Sequence, residues 1–457
     1  MLLTFLVTAC SDSVSKSDAT TGNSTVNQSQ HEEIVITMAM TGDSSNIEKD
    51  IQKFNTENND YKIEIKRYSK QTEDNQLSYE ESIKKFQYED LEILQDIINS
   101  SEIDIVCNES FFNESYYEIL KEKGAFVDLY SFMNDDIEVN TDTLDTHILN
   151  LNETKEKLYT LPVFYAINTL AGETQYVGNK ENWNFEEFES HWNAMPTGST
   201  IMGARQKEKV YPIILRNNLD SFIDYNSSEV HFDSPDFKKM LEFCNTFESA
   251  NGQKGTYDYE SISFVNPIIA TGIMASPTFN PDNGLTCVGY PSQNGKGAYL
   301  SSAFLSFSIN MNSSKEKQKI AWEFIRSFAT EDYQLNNVIP FIDGTQNTEA
   351  YYSTEIGYCV NKKAFDTIAE KMINKECYTS TFTDKGQTFE RRFPTQKDVD
   401  ALRRYISLVK RWGTPTDSSL SEIINDEVLA YFNDEKTVDE CIDIIQNRAS
   451  IWINEQA

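Results

Sequence analysis

Residues 34–68 read IVITMAMTGDSSNIEKDIQKFNTENNDYKIEIKRY, and the spacing of the apolar positions changes along them. Ile34 to Met40 is an apolar run that reads as a strand, followed by Thr41-Gly42-Asp43-Ser44-Ser45. Ile47, Ile51 and Phe54 then fall on one face of a helix, and Tyr61 to Tyr68 alternates apolar with charged residues, as a half-buried strand does. This is a β-α-β unit. A long polar insertion with helical periodicity (Phe86, Leu91, Leu94, Ile98) leads to a short apolar strand, Ile103 to Cys107. Strands alternating with helices in this way imply an α/β first lobe with a mainly parallel sheet.

Downstream, Asn184-Glu187, Ser313-Glu316, Ser419-Glu422 and Thr437-Glu440 fit capping boxes. Ser234-Pro235 places proline at a first helical position. Ala303 to Ile309 is strand-like. Leu420, Ile424 and Val428, then Cys441, Ile444, Ile445 and Trp452, recur at helical spacing, so the last third is helical.

Upstream, Met1 to Cys10 (MLLTFLVTAC) is an apolar run ending in small residues before a cysteine. It looks like the end of a bacterial lipoprotein signal, although it lacks a basic n-region. On that reading residues 1–9 are removed and Cys10 is acylated. Residues 10–31 are rich in Ser, Thr, Asn and Asp, contain few large apolar residues and form a disordered tether. No later stretch has the roughly 18 to 20 apolar residues that span a bilayer, so the lipid is the expected membrane attachment.

The 457 residues carry 40 Lys and Arg against 72 Asp and Glu, a net charge of −32. Such a surface repels phosphate backbones and anionic headgroups, so nucleic acid is not an expected partner. With 39% apolar residues, 12% of all residues being aromatic, the chain can still build a core. Cys107, Cys244, Cys287, Cys359, Cys377 and Cys441 are widely spaced without a CxxC, which disfavours a zinc site. Cys244 and Cys441 sit on apolar helix faces as small hydrophobes.

No HExxH, GxSxG, Walker A or GxGxxG occurs, and His31, His147, His191 and His231 are scattered. No metal or cofactor is expected. Two acidic residues could still meet as a glycosidase pair. Aromatic residues at strand ends (Phe111, Phe112, Phe164, Tyr165, Phe279, Phe304) suit neutral polyols, whose apolar faces stack on rings while their hydroxyls hydrogen-bond. Core packing competes as an explanation for each of them.

An ordered series of segments resembles the maltose-binding-like extracellular solute-binding proteins (family 1), which deliver sugars to ABC importers. The series is Ile47 to Tyr68, Phe126-Val-Asp-Leu-Tyr130, Leu158-Tyr-Thr-Leu-Pro162, Asn182 to Phe188, Gly289-Tyr-Pro291, Ala321-Trp-Glu-Phe324, Glu331 to Gln334 and Ile445-Gln-Asn-Arg448. The resemblance implies a two-lobe periplasmic-binding-protein-like α/β fold, with mainly parallel sheets flanked by helices and a ligand cleft at the hinge. Lobe 1 would comprise 32–163 and 306–358, and lobe 2 would comprise 164–305 and 359–457.

Carried over by segment, the ligand-binding positions are Thr41, Gly42, Asp43, Asn108, Glu109, Phe164, Tyr165, Ser276, Thr278, Phe279, Ser302 and Phe304, with Trp412 as an added aromatic. Glu102-Ile-Asp104 stands where the family often has Gly-Pro-Asp, and Asp417 to Ser421 offers hydroxyls where maltose-binding members place an aromatic. Trp183 and Trp322 are read as core residues. The implied function is a monomeric, non-enzymatic, lipid-anchored binding protein on the outer face of the cytoplasmic membrane. It would capture a carbohydrate and pass it to ABC permease subunits. A surface glycoside hydrolase, an adhesion lipoprotein or a binder of another polar solute remain as alternatives.

Overall fold

The computed structural model describes residues 33–40, 45–68, 79–99, 102–107, 114–216, 218–224, 227–250, 261–292, 295, 297–338, 357–376, 381–384, 387–390, 392–413 and 418–456. Cys10, the segment 10–31, Thr41, Gly42, Asp43, Asn108, Glu109 and Cys377 lie outside these residues.

The β-α-β unit forms as its periodicity implies. Strands β1 (Ile34–Met40) and β2 (Tyr61–Arg67) pair in parallel, with Ile36 opposite Ile63 and Met38 opposite Ile65. The connecting helix Ser45–Glu57 buries Ile47 and Ile51 against them. Strand β3 (Ile105–Cys107) lies parallel on the other side of β1. It is shorter than the expected Ile103 to Cys107 because of Asp104. The wholly buried Asp104 carboxylate accepts from the Thr37 amide at 2.9 Å, the Ser313 hydroxyl at 2.6 Å and Lys317 Nζ at 2.9 Å. A buried carboxylate is tolerated when it is paired and hydrogen-bonded in this way.

The remaining strands are β4 (Leu161–Glu173), β5 (Ile223–Asp224), β6 (Glu229–Val230), β7 (Asn266–Ala270), β8 (Leu285–Cys287), β9 (Tyr299–Ile309), β10 (Tyr358–Cys359), β11 (Thr381–Asp384) and β12 (Gln387–Glu390). The principal sheet runs β10-β4-β9-β3-β1-β2, with β7 and β8 also on β4; β5-β6 and β11-β12 are separate pairs. Strands β1, β2, β3 and β4 share one direction. Strand β9 lies antiparallel between β3 and β4, and β10 antiparallel beside β4.

Two large apolar cores lie along β4 and β9. The first gathers Ile36, Met38, Ile105, Leu161, Phe307, Trp322 and Phe324 with residues of the helices Lys362–Ile373 and Gln396–Leu408. The second gathers Leu170, Trp183, Phe188, Phe264 and Val288 with the helices Pro235–Asn245, Ser418–Phe432 and Val438–Gln456. A smaller cluster with Ile93, Ile97, Tyr117 and Phe126 backs β1 and β3. Trp183 and Trp322 are both buried. Trp183 Nε1 donates to the Gly289 carbonyl at 2.9 Å, and Trp322 stacks on Phe132 while donating to Asp136 at 3.0 Å.

Helix ends follow local chemistry with two displacements, one of them at the helix Ser418–Phe432, which begins a residue before Ser419 so that Ser419 is not its cap. Asn184-Glu187 forms a capping box, Thr437-Glu440 makes the same reciprocal bonds, and Ser234 caps a helix whose first residue is Pro235. After Ser313 the cap is Ser314, which accepts from the Lys317 amide, because the Ser313 hydroxyl is engaged by Asp104. Thr395-Asp398 is a further box. Cys107, Cys244, Cys287, Cys359 and Cys441 are buried thiols, none of them in a disulfide. Burial pushes the Cys287 and Cys441 thiols up to about 12, which makes them inert in the neutral range. Among the described residues, no helix is long and apolar enough to cross a membrane.

Asp398 gives a test of this packing. Burial by itself would raise its pKa, but bonds from Asn280, the Thr395 amide and hydroxyl, and Asn283 bring it down to about 2 from an ordinary 3.8. A depressed folded pKa adds stability above the unfolded value and loses it as pH falls through the folded one. Asp398→Asn should therefore lower the melting temperature at pH 7. Its deficit relative to wild type should shrink between pH 4 and pH 2, as read by calorimetry across that range.

Candidate functional site

Pro162 opens the region where the candidate residues converge. Proline has no amide to give the ladder, and the β4-β9 register shifts between Pro162 and Phe164. Beyond the shift, Phe164 lies opposite Ala303 and Tyr165 opposite Ser302, while on the other side Cys359 and Tyr358 pair with the same two residues. β10 can come this close because the residue before it is glycine. A Cβ on Gly357 would stand 2.6 Å from Phe164 Cβ and 2.8 Å from Ala303 Cβ. Further along, Asn168 Nδ2 donates to the Ser301 hydroxyl at 2.9 Å.

A second segment, the 3-10 turn Ile273–Phe279, packs beside these strands. Within it the Thr278 hydroxyl donates to the Ala275 carbonyl at 2.6 Å, and the Cys287 thiol donates to the Thr278 carbonyl at 3.3 Å. The Ser276 hydroxyl is fully buried without a hydrogen-bond partner, as is that of Tyr358. A third segment, Arg411-Trp412-Gly413, bridges to Leu300 at the start of β9, with Leu300 N donating to Arg411 O at 3.1 Å and Gly413 N to Leu300 O at 2.6 Å. The Arg411 guanidinium lies over the Tyr299 ring at 4.6 Å. A Cβ on Gly413 would come within 2.8 Å of that ring.

The fold thus gathers the described candidates into one neighbourhood and divides them by burial. Phe164 (0% exposed), Tyr165 (1%) and Phe279 (5%) belong to the first apolar core. Tyr165 packs on Tyr358 at 5.5 Å and Phe279 on Tyr405 at 5.0 Å. The expectation that these rings offer free stacking faces is corrected: their faces are occupied by protein, and burial keeps the Tyr165 and Tyr358 phenols neutral, with pKa values well above the ordinary range. Ser276 is likewise interior. Thr278, Ser302 and Trp412 are half-buried, with Trp412 packed against the edge of the core. The Phe304 side chain, Thr41, Gly42, Asp43, Asn108 and Glu109 are outside the described residues.

Tyr299, Arg411, Asn168 and Ser301 were not singled out in the sequence. The aromatic-cation neighbourhood of Trp412 was the available signal for Arg411. Among the described residues, no group of three or more His, Cys, Asp or Glu side chains could hold a metal ion.

No protein-family model matches the sequence, and no curated protein matches it. Solved structures do match over nearly the whole chain. A periplasmic oligogalacturonide-binding protein from Yersinia enterocolitica is 13% identical, with 93% of this chain and 100% of that one covered and a TM-score of 0.54. The sugar-binding protein MalE from Xanthomonas citri is 10% identical, with 92% and 98% covered and a TM-score of 0.53. A cyclic alpha-maltosyl-1,6-maltose binding protein from Arthrobacter globiformis is 12% identical, with 93% and 100% covered and a TM-score of 0.52. These likenesses establish the fold, which is the α/β, periplasmic-binding-protein-like fold that the ordered sequence landmarks resemble.

The burial pattern separates packing from binding by experiment. Tyr165→Ala and Phe279→Ala should each cost about 3–5 kcal/mol in denaturant unfolding, the usual penalty for deleting a buried ring. Ser276→Ala should cost nothing measurable, because it removes a buried hydroxyl that has no partner.

Proposed function

We propose that this chain is a lipid-anchored extracellular substrate-binding protein that captures a carbohydrate between two lobes and presents it to the permease of an ABC transporter. It acts as a monomer, is not an enzyme and needs no cofactor. The observation that carries this reading is the continuity of β4 and β9, which run past both large apolar cores and pair with each other from Leu161–Phe307 to Asn168–Tyr299. Strands of this kind can bend between two packed bodies without exposing either core. Hinge motion then lets a ligand that touches both bodies favour the closed arrangement.

The matched proteins include an oligogalacturonide-binding protein, a cyclic alpha-maltosyl-1,6-maltose binding protein and a sugar-binding protein, which supports a carbohydrate here. The net charge of −32 favours a neutral sugar and keeps the body off an anionic membrane while the lipid on Cys10 holds it nearby. The proposed lobes are 32–163 with 306–358, and 164–305 with 359–457. Ligand contact is assigned to Thr41, Gly42, Asp43, Asn108, Glu109, Thr278, Ser302, Phe304 and Trp412. Phe164, Tyr165, Ser276 and Phe279 support that surface from beneath.

Thermal melts against mono- and oligosaccharides test the central claim. A true ligand at 100 times its dissociation constant should add roughly 2.7 kcal/mol of stability. A panel in which no sugar raises the melting temperature removes carbohydrate binding, and cleavage of an oligosaccharide during incubation assigns a hydrolase instead. Cys10→Ser should move the protein from the membrane fraction to the medium; retention would contradict the lipid anchor.

A further inference from the structure

Side chains alternate between the two faces of the β4-β9 ribbon, so the register assigns each residue to one face or the other. One face carries Tyr165, Ile167, Thr169 and Ala171 of β4, with Ser302 opposite Tyr165 and Leu300 opposite Ile167. Trp412 bridges Leu300 and shares its face. This face is roofed. Tyr358, paired with Tyr165, packs on Phe365 of the helix Lys362–Ile373 at 6.1 Å, and the Thr169 hydroxyl bonds the Tyr405 hydroxyl of the helix Gln396–Leu408 at 2.6 Å. Tyr165, Ile167 and Ala171 all belong to the first apolar core, which continues along this face without a break.

The opposite face carries Phe164, Ala166, Asn168 and Leu170, with Ser301 opposite Ala166 and Tyr299 opposite Asn168. Here the two cores part: Phe164 lies in the first and Leu170 in the second. Asn168 stands in the interval, beside Ala166 at the margin of the first core. Ile269, its partner on β7, is 69% exposed, whereas Ala270 on the roofed face is buried, so the second face opens to solvent where the cores separate. The Tyr299 ring, with the Arg411 guanidinium over it, borders the interval on the side of the second core.

Asn168 is only 7% exposed, and its Nδ2 donates to the Ser301 hydroxyl at 2.9 Å. That bond uses one of two amide hydrogens, and Oδ1 accepts nothing among the described residues. A polar group so enclosed costs stability until its remaining hydrogen-bonding capacity is met. The Ser301 hydroxyl accepts from Asn168 and keeps its own hydrogen to give. The pair therefore offers one acceptor and two donors in a small patch. Such a patch suits adjacent hydroxyls, one donating to Asn168 Oδ1 and its neighbour accepting from the second amide hydrogen or from Ser301.

We propose that the ligand rests on this open face, where Asn168 and Ser301 bind two adjacent hydroxyls of a sugar. The inference rests on the reading of a carbohydrate-binding protein and deepens it. On β9 it moves the contact one residue along, from Ser302 to Ser301, because a step of one residue changes the face. Ser302 and Trp412 then belong to the wall behind the site.

Calorimetric titration of the full chain tests this, using the sugar that most raises its melting temperature in the mono- and oligosaccharide panel. Asn168→Ala should raise the dissociation constant about twentyfold and Ser301→Ala about fivefold, the loss of two hydrogen bonds and of one. A mono-deoxy analogue lacking one of the bound hydroxyls should bind wild type more weakly than the parent sugar does, but bind Asn168→Ala no more weakly. Melting temperatures without sugar read the fold separately; if Asn168→Ala does not fold, Ser301→Ala carries the test. Unchanged constants in both variants overturn the assignment and leave the carbohydrate reading intact. So does a loss confined to Ser302→Ala, which would put the ligand on the other face. A panel in which no sugar binds removes both.

Discussion

The antiparallel pairing of β4 with β9 is the constraint on which the rest of the structure depends. One edge of this ribbon receives β3 and, through it, the parallel strands β1 and β2; the other receives β10, β7 and β8. Both large cores use its side chains, Phe164, Leu161 and Phe307 in one and Leu170 in the other. Because the ribbon is buried along nearly its whole length, its residues cannot be chosen for binding alone. Those that reach solvent in part, such as Ser301 and Ser302, are small and polar.

Buried polar groups fasten elements that are distant in sequence. Asp104 joins β1, β3 and the turn before the helix Lys315–Ser327. The Tyr117, Thr160 and Ser308 hydroxyls form a closed set with Ser308 donating to the Tyr159 carbonyl. Lys207 reaches the Phe432 carbonyl at 2.6 Å and Asn245 at 2.8 Å, placing a cation at the C-terminal end of the helix Ser418–Phe432, where the dipole favours it. Each such group would be costly if left without its partners, so each specifies one arrangement of its neighbours.

The β-α-β opening was legible because its periods are unmixed: an apolar run, then a helical face, then an alternating strand, and β1 begins and ends where the pattern does. Local caps were legible for the same reason, since a capping box involves only four residues. The cap at Ser314 was misplaced by one because the competitor for Ser313 is Asp104, more than 200 residues away. The aromatic candidates at the strand ends show the same limit. Phe164, Tyr165 and Phe279 have the residue type of a sugar platform, but residue type does not say which side of a ring meets solvent.

By itself the sequence determined the periodic elements, the acidic charge, the burial of Trp183, Trp322, Cys244 and Cys441 on apolar faces, and ordered landmarks that resemble those of a periplasmic-binding-protein-like fold. These are properties of short windows or of composition, where local chemistry acts without distant partners. Only the tertiary structure decided that Phe164, Tyr165 and Phe279 face protein, that Ser276 and Tyr358 bury unpartnered hydroxyls, and that Asn168 meets Ser301. Those outcomes depend on which strand pairs beside β4 and how closely glycines 357 and 413 let the chain approach, and such long-range contacts arise only when separate segments pack together.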